Sequence, residues 1–186
     1  LRLADKNQIV SYVFFSGKAV LDKISELFNI YRELLGEFDF SDSKRLIDII
    51  RGTKADIEAS IVPAGNQYVI SRLHSYNTEI GRYDEFTGGL AYFRFLEKLL
   101  ERVEKDPAEV ANCFSDVANL ILCRENMLVN VTSESEDYSI FEQEINSLAQ
   151  IFPEKGSRET TLEIPSYDLN EAFLTAGNIQ YVGKGA

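Results

Sequence analysis

The side chains best suited to metal binding or nucleophilic chemistry are few in this sequence. There is one histidine, His74, and there are two cysteines, Cys113 and Cys123. A structural zinc site needs a full set of Cys and His ligands at short spacings. The zinc-protease helices H-E-x-x-H and H-x-x-E-H each need a histidine pair, and neither pattern is present. We therefore interpret His74 as a packed or surface histidine and predict no metal ligand in this chain.

The two cysteines are predicted to lie in one helix, where they support no disulfide. Cys113 and Cys123 are ten positions apart, which corresponds to about 15 Å at ~1.5 Å of rise per residue. That distance exceeds the span of a disulfide. A catalytic Cys–His pair would need His74 beside one of them, and we interpret both thiols instead as packing on a helix face. Two thiols without a disulfide framework fit a reducing compartment.

Two other stretches have the residue types of ion-binding loops without the required spacing. Gly17-Lys18-Ala19 contains a Gly-Lys pair, but the earlier glycine and the Ser or Thr of a phosphate-binding loop are missing. Glu134, Glu136 and Asp137 are clustered, but they lack the order of a calcium loop. We interpret this acidic cluster as a solvated helix start. The sequence thus predicts no catalytic residue, and residues that would contact a substrate are left unassigned.

Composition excludes some classes of partner. The net charge of −11 argues against general binding to nucleic acid or to an anionic membrane surface, because both require clustered Lys and Arg. An acidic surface is compatible with basic peptides. No apolar run reaches the ~18 residues of a membrane span. We expect an intracellular location, in the cytoplasm or in the lumen of an organelle.

Most of the chain has helical periodicity, and shorter runs have the composition of strands. The predicted helical segments are residues 20–36, a segment from Ser41 or Asp42 to Pro63, residues 64–103 with breaks near 75–78 and at Gly88-Gly89, residues 108–122 and residues 137–150. The predicted strands are residues 9–15, 128–131, 162–164, 172–174 and 179–182.

This order of elements predicts an α+β fold, with helices packed on one face of a mostly antiparallel or mixed sheet. The predicted sheet has few strands for so many helices. We therefore expect part of the sheet to lie outside this chain.

Five stretches, taken in order, resemble a known family: "FFSGKAVLDKISELFNIYRELL", "VPAGNQYVISRLHS", "EFTGGLAYFRFLEKL", "RENMLVNVTSE" and "EAFLTAGNIQYVGKGA". The chain resembles the non-catalytic C-terminal half of the presequence-protease and falcilysin branch of the pitrilysin (insulinase) family of zinc metallopeptidases. The resemblance extends over nearly the whole chain. Its most specific elements are "GGLAYFRFLEKL", "RENMLVNVT" and "QYVGKGA".

The resemblance implies a domain organisation. Residues 1–155 would form most of the third of four α/β domains, an inactive domain with the fold of the peptidase family. Residues 156–170 would form a linker. Residues 171–186 would include the first strand of the fourth domain, because "YVGKG" begins that domain in the family. We accordingly expect the chain to be truncated at both ends.

The resemblance also implies a role without catalysis. The family's zinc site uses an H-x-x-E-H helix and a downstream glutamate in the first domain, and its substrate-contacting Arg and Tyr follow the "YVGKG" strand. None of those positions falls within this chain. The chain would form part of the wall of a chamber that encloses short unfolded peptides. Its partner would be the catalytic N-terminal half of the same polypeptide, which would hold the Zn²⁺.

Two other functions stay open. The chain could be an inactive scaffold subunit of the same fold, as in processing peptidases or respiratory complexes, or an unrelated helical binding domain with coincidental motifs. An H-x-x-E-H motif upstream in the full gene would favour the protease. Whether the chain itself counts as an enzyme is left open, because it resembles a fragment of a zinc metallopeptidase but lacks the catalytic motif.

Overall fold

The computed structural model describes residues 11–36, 39–156 and 170–185. In this part of the chain there are seven α-helices and three short 3-10 helices. The α-helices are α1 (Ile24–Gly36), α2 (Ser43–Ile61), α3 (Gly65–Asn77), α4 (Glu79–Gly88), α5 (Leu90–Lys105), α6 (Pro107–Ile121) and α7 (Tyr138–Ala149). The 3-10 helices are Leu21–Lys23, Arg124–Asn126 and Ser135–Asp137.

Local sequence signals explain where several helices begin. The Oγ1 of Thr78 accepts a hydrogen bond of 3.0 Å from the amide of Gly81 and caps α4. Pro107 occupies the first position of α6, where its missing N–H is not needed. The predicted break at Gly88-Gly89 is confirmed, because α4 ends at Gly88 and α5 begins at Leu90. Across the described helices, none combines the length and apolarity needed to span a bilayer.

The described residues fall into two compact units. The first contains Ser11, Ser43–Ala108 and residues 170–185. In it α2 packs against α5, α3 against α4, and α4 against α5. The buried apolar side chains Ile50, Leu96 and Leu99 come from α2 and α5.

The C-terminal residues 170–185 belong to this first unit and contact α3 and the turn between α2 and α3. The hydroxyl of Tyr181 donates a hydrogen bond of 3.0 Å to the backbone oxygen of Val62. A Cβ on Gly65 would overlap the Tyr181 ring, so the glycine permits this close approach. A Cβ on Gly183 would likewise overlap Val69. The segment therefore lies directly on the helical surface.

The second unit contains residues 12–36, 39–42 and 109–156 of the described chain. Here α1 packs against α7 around a core of Ile24, Phe28, Leu35, Leu148 and Phe152. An ion pair between Arg32 and Glu144 links the two helices.

The predicted α+β fold is wrong for the described residues, which form helices and contain no strand or sheet. The segments 11–15, 128–131, 172–174 and 179–182 have no regular secondary structure. Residues 9–10 and 162–164, also predicted as strand, lie outside the described residues. A strand needs a neighbouring chain to pair its backbone groups. In these described segments no such ladder forms, and side chains such as Phe14 and Leu128 are exposed.

Candidate functional site

The residues that the sequence singled out are distributed over both units. His74 is exposed on α3, beside a shallow depression of about 250 Å³ that Asp84 also borders. Cys113 is exposed on α6, and Cys123 is buried beyond the end of that helix. The prediction that both thiols lie in one helix is therefore wrong. His74 belongs to the first unit and both cysteines belong to the second.

The two ion-binding loops considered from the sequence have simpler roles. Glu134 and Glu136 are exposed just before α7, as expected for a solvated helix start. A Cβ on Gly17 would overlap Leu27, so this glycine serves close packing. Among the residues that the structure describes, no group of three or more His, Cys, Asp or Glu side chains is placed to hold a metal ion.

The structure instead brings together charged groups in the first unit, at the junction of α3, α4 and α5. Arg72 on α3 is only 7% exposed, and Glu85 on α4 is fully buried. Nη1 of Arg72 lies 3.1 Å from Oε1 of Glu85. A buried charge is costly unless it is paired and hydrogen-bonded, so this pair requires further partners.

Glu85 obtains those partners from two helices. Its Oε2 accepts a hydrogen bond of 2.9 Å from the Ser71 hydroxyl on α3. Its Oε1 accepts one of 3.3 Å from the amide of Ala91, in the first turn of α5. The carboxylate thereby satisfies an amide at a helix N-terminus, where a negative charge is favoured. A Cβ on Gly89 would overlap this carboxylate, so a glycine is required there.

Arg72 obtains its second carboxylate from the C-terminal segment. Nε and Nη2 of Arg72 donate hydrogen bonds of 2.6 and 2.8 Å to the two oxygens of Glu171. The Tyr76 hydroxyl, one turn further along α3, donates another of 2.8 Å to Glu171. We call Arg72, Tyr76, Glu85 and Glu171 the ionic cluster.

Contacts within the ionic cluster shift the pKa values of Glu171, Tyr76 and Arg72. Hydrogen bonding to Arg72, and then to Tyr76, lowers the pKa of Glu171 despite its partial burial. Burial, followed by the hydrogen bond to the Glu171 carboxylate, raises the pKa of Tyr76. Burial acts to lower the pKa of Arg72, but the hydrogen bonds and charges of Glu171 and the charge of Glu85 outweigh it and raise that pKa. Arg72 and Glu171 are thus held in their charged forms at neutral pH, whereas Tyr76 keeps the proton that it donates to Glu171.

A depression of about 260 Å³ adjoins the ionic cluster. Its walls include aromatic side chains from α4, α5 and the C-terminal segment, and Arg94 and Lys98 on α5 supply positive charge. The guanidinium carbons of Arg72 and Arg94 lie 5.5 and 5.0 Å from the centre of the Phe173 ring. Both distances are within the range of cation–π attraction. This combination of cationic and aromatic groups is suited to an anion that carries an apolar group. We call this depression, which is lined by Phe86, Leu90, Phe95, Phe173, Arg94 and Lys98, the aromatic depression.

The family model described as peptidase M-16C associated matches residues 2–99 of this chain. The chain belongs to this peptidase-associated family. The matched range takes in Arg72, Tyr76 and Glu85 of the ionic cluster, whereas Glu171 lies beyond it. The predicted resemblance to a C-terminal segment of a pitrilysin-family peptidase is confirmed.

Individual relatives match over more of this peptidase-associated chain. Protein HypA of Clostridium perfringens (strain 13 / Type A) is 29% identical over 186 residues, covering 98% of this chain and 19% of that protein. Presequence protease 1, chloroplastic/mitochondrial, of Arabidopsis thaliana is 25% identical over 180 residues, covering 96% of this chain and 17% of that protein. The peptidase-associated chain therefore spans about a fifth of the length of these curated relatives.

Proposed function

We propose that this peptidase-associated chain is a non-catalytic domain of a zinc-dependent, oligopeptide-degrading metalloendopeptidase. The supporting observation is its match to a presequence protease over 96% of its own length but 17% of the relative's length. The chain corresponds to one part of a much larger protein. Its task in that protein is to form part of the wall of a chamber that encloses the peptide.

In this proposal the zinc chemistry belongs to polypeptide outside the 186 residues. The sequence contains neither protease helix motif, and the described residues offer no group of side chains that could hold a metal ion. A bound zinc ion activates water for attack on the peptide bond. The catalytic N-terminal half of the same polypeptide would hold that ion, and this chain would enclose the substrate against it.

The proposal keeps the domain boundaries derived from the resemblance. Residues 1–155 form most of one inactive domain, residues 156–170 a linker, and residues 171–186 the beginning of the next domain. The structure describes residues 170–185 in the first unit. The start of the next domain would therefore be held on α3 by the bond between Glu171 and Arg72.

The charge of the chain suits short basic peptides as substrates. A wall with a net charge of −11 attracts cationic peptides and raises their local concentration. Presequence proteases, by their name, act on presequences, and the Arabidopsis relative is named chloroplastic/mitochondrial. We accordingly propose that this chain is located in an organelle or in the cytoplasm.

The experiment compares the 186-residue chain with the polypeptide encoded by the complete reading frame that contains it. Both are purified and assayed for zinc by mass spectrometry and for cleavage of a quenched fluorescent peptide of basic composition. We expect the longer polypeptide to bind zinc and cleave the peptide, and the shorter chain to do neither. Stoichiometric zinc and cleavage in the shorter chain would overturn the proposal.

The same measurements identify a scaffold. If the longer polypeptide lacks the H-x-x-E-H motif, binds no zinc and leaves the peptide intact, the protease proposal is wrong. The chain would then belong to a non-catalytic subunit of related ancestry.

A further inference from the structure

Within the part of the chain that the structure describes, the aromatic depression is lined by the cations Arg94 and Lys98, besides Arg72, and by no carboxylate. Arg94 and Lys98 are four positions apart on α5 and therefore project from the same face of the helix. Among the described residues, neither makes an ion pair within 4 Å with a carboxylate. Arg94 contributes to the field at Glu171, but both oxygens of Glu171 are bonded to Arg72. The depression can therefore accept a further negative charge.

The other walls of the depression are apolar. Phe86 on α4, Leu90 and Phe95 on α5, and Phe173 of the C-terminal segment line it. Phe95 is 46% exposed, so the apolar wall is open to a ligand. The acidic residues Glu97 and Glu101, although on α5, do not line the depression. A local cationic and aromatic surface thus exists on a chain whose net charge is −11.

The size of the depression limits its occupant. Its volume of about 260 Å³ lies just below the roughly 300–1,000 Å³ of sites for drug-sized ligands. It suits one large side chain together with an adjoining charged group. A folded partner or a long peptide would not be contained in it.

We infer that the aromatic depression binds the C-terminal carboxylate of a short peptide whose last side chain is apolar. The terminal carboxylate pairs with Arg94 and Lys98, and the last side chain lies against Phe86, Phe95 and Phe173. Charge-assisted hydrogen bonds to a carboxylate are stronger than neutral ones. This inference rests on the proposed function, because it assigns the peptide end to one place on the chamber-forming chain.

The ionic cluster would act on this site by positioning one of its walls. Glu171 is fixed to Arg72 and Tyr76, and Phe173 follows two residues later in the same irregular segment. The guanidinium of Arg72 also lies over the Phe173 ring. Glu171 is therefore a positioning residue for the depression, whereas Arg94 and Lys98 contact the ligand.

The test uses the absence of tryptophan from this chain. The probe is the peptide acetyl-Gly-Ser-Gly-Trp with a free C-terminal carboxylate, whose indole fluorescence comes from the ligand alone. Its emission and anisotropy are followed as the 186-residue chain is added at low salt. We expect a dissociation constant on the order of 1 mM or tighter, weakening several-fold as ionic strength is raised to about 0.5 M.

Two comparisons define the chemistry of the ligand. The same peptide with a C-terminal amide should bind at least about tenfold more weakly, because it carries no charge. The free acid acetyl-Gly-Ser-Gly-Gly, measured by its displacement of the tryptophan probe, should also bind more weakly, because it has no side chain for the aromatic walls. Equal binding of the acid and the amide would overturn the inference. The inference would also fail if binding of the acid stayed undetectable at protein concentrations above about 1 mM.

Matched variants locate the site. Arg94→Gln with Lys98→Gln should weaken binding about tenfold or more, whereas Lys105→Gln on the same helix should leave it unchanged. Glu171→Gln should weaken binding less than the double variant and should retain the preference for acid over amide. Circular dichroism of each variant establishes that it is folded. If Lys105→Gln lost as much affinity for the peptide as the double variant, the peptide would bind elsewhere and the inference would be wrong.

This binding assay is independent of catalysis. If the longer polypeptide cleaves peptides but the 186-residue chain does not discriminate acid from amide, only the terminal-carboxylate inference fails. If the chain discriminates them but the longer polypeptide is inert, only the proposed protease function fails.

Discussion

The carboxylate of Glu171 receives two hydrogen bonds, of 2.6 and 2.8 Å, from the guanidinium of Arg72, which lies 99 positions earlier in the chain. Arg72 is buried on α3, and Glu171 lies in a segment without regular secondary structure. A bidentate pair of this kind fixes both position and orientation. The ionic cluster is therefore one of the places at which the C-terminal segment is fixed to the helices, beside the contacts of Tyr181 and Gly183.

Neutralising this carboxylate should destabilise the first unit. Glu171→Gln keeps the shape of the side chain but removes its charge and one acceptor oxygen. We expect a loss of about 1–3 kcal/mol in the free energy of unfolding, measured by urea titration, because part of the buried guanidinium loses its partner. Glu101→Gln, at an exposed position on α5, is the control and should change stability by less than about 0.5 kcal/mol. Equal stability of the two variants would contradict the role assigned to Glu171.

Acid should weaken the same contact. The pKa of Glu171 is lowered from 4.5 by its hydrogen bonds to Arg72 and Tyr76. A lowered pKa in the folded state means that the stabilisation is fully present above the unfolded value and is lost as pH falls through the lowered value. The difference in unfolding free energy between the wild type and Glu171→Gln should therefore stay constant from about pH 7 down to the unfolded value of 4.5 and shrink as the pH falls further. If the unfolding free energies of the two proteins changed in parallel with pH down to about pH 3, the carboxylate would not be preferentially charged in the folded state.

The adjacent glycines between α4 and α5 should respond differently to alanine. A Cβ on Gly89 would overlap the buried carboxylate of Glu85, whereas a Cβ on Gly88 would have no atom within 4 Å. We expect Gly89→Ala to destabilise by about 1–3 kcal/mol, through displacement of Glu85 from Arg72 and Ala91. Gly88→Ala should be neutral or stabilising by up to ~1 kcal/mol, because alanine is the better helix former. Thermal unfolding of the two variants side by side measures this contrast, and a larger loss at Gly88 would refute it.

Two phenylalanines of the second unit provide a test of its core. Phe28 is 6% exposed and packs edge-on against Phe141, whereas Phe14 is 77% exposed. Phe28→Ala should cost about 3–5 kcal/mol through lost burial and the cavity left behind. Phe14→Ala should cost less than about 0.5 kcal/mol. Urea titrations followed by circular dichroism give both values, and similar losses would mean that the α1–α7 core is misassigned.

The helices were predictable because their signals are local. The apolar stripe of α1, the proline at the start of α6 and the glycines before α5 each act within a few residues. The strands were mispredicted because an extended apolar segment becomes a strand only when another segment pairs with it. Leu128 and Val182 have suitable local sequence, but no paired strand accompanies them in the described chain.

The ionic cluster was not predictable from sequence spacing. Arg72 lies two positions before His74, but its carboxylate partners are 13 and 99 positions away in the chain. Nothing local distinguishes Glu85 from the other acidic residues, since the total of Asp and Glu is 30. A partial signal was available in Gly89, because glycine is favoured where another group approaches the backbone closely, and a Cβ there would overlap Glu85.

The placement of Phe173 beside two guanidinium groups has a consequence for how this sequence can diverge. Only an aromatic ring offers π electron density to Arg72 and Arg94 together. Descendants that retain both arginines should accept Tyr or Trp at position 173 and reject aliphatic residues of similar volume. The next residue, Leu174, is wholly exposed and should drift without such restriction.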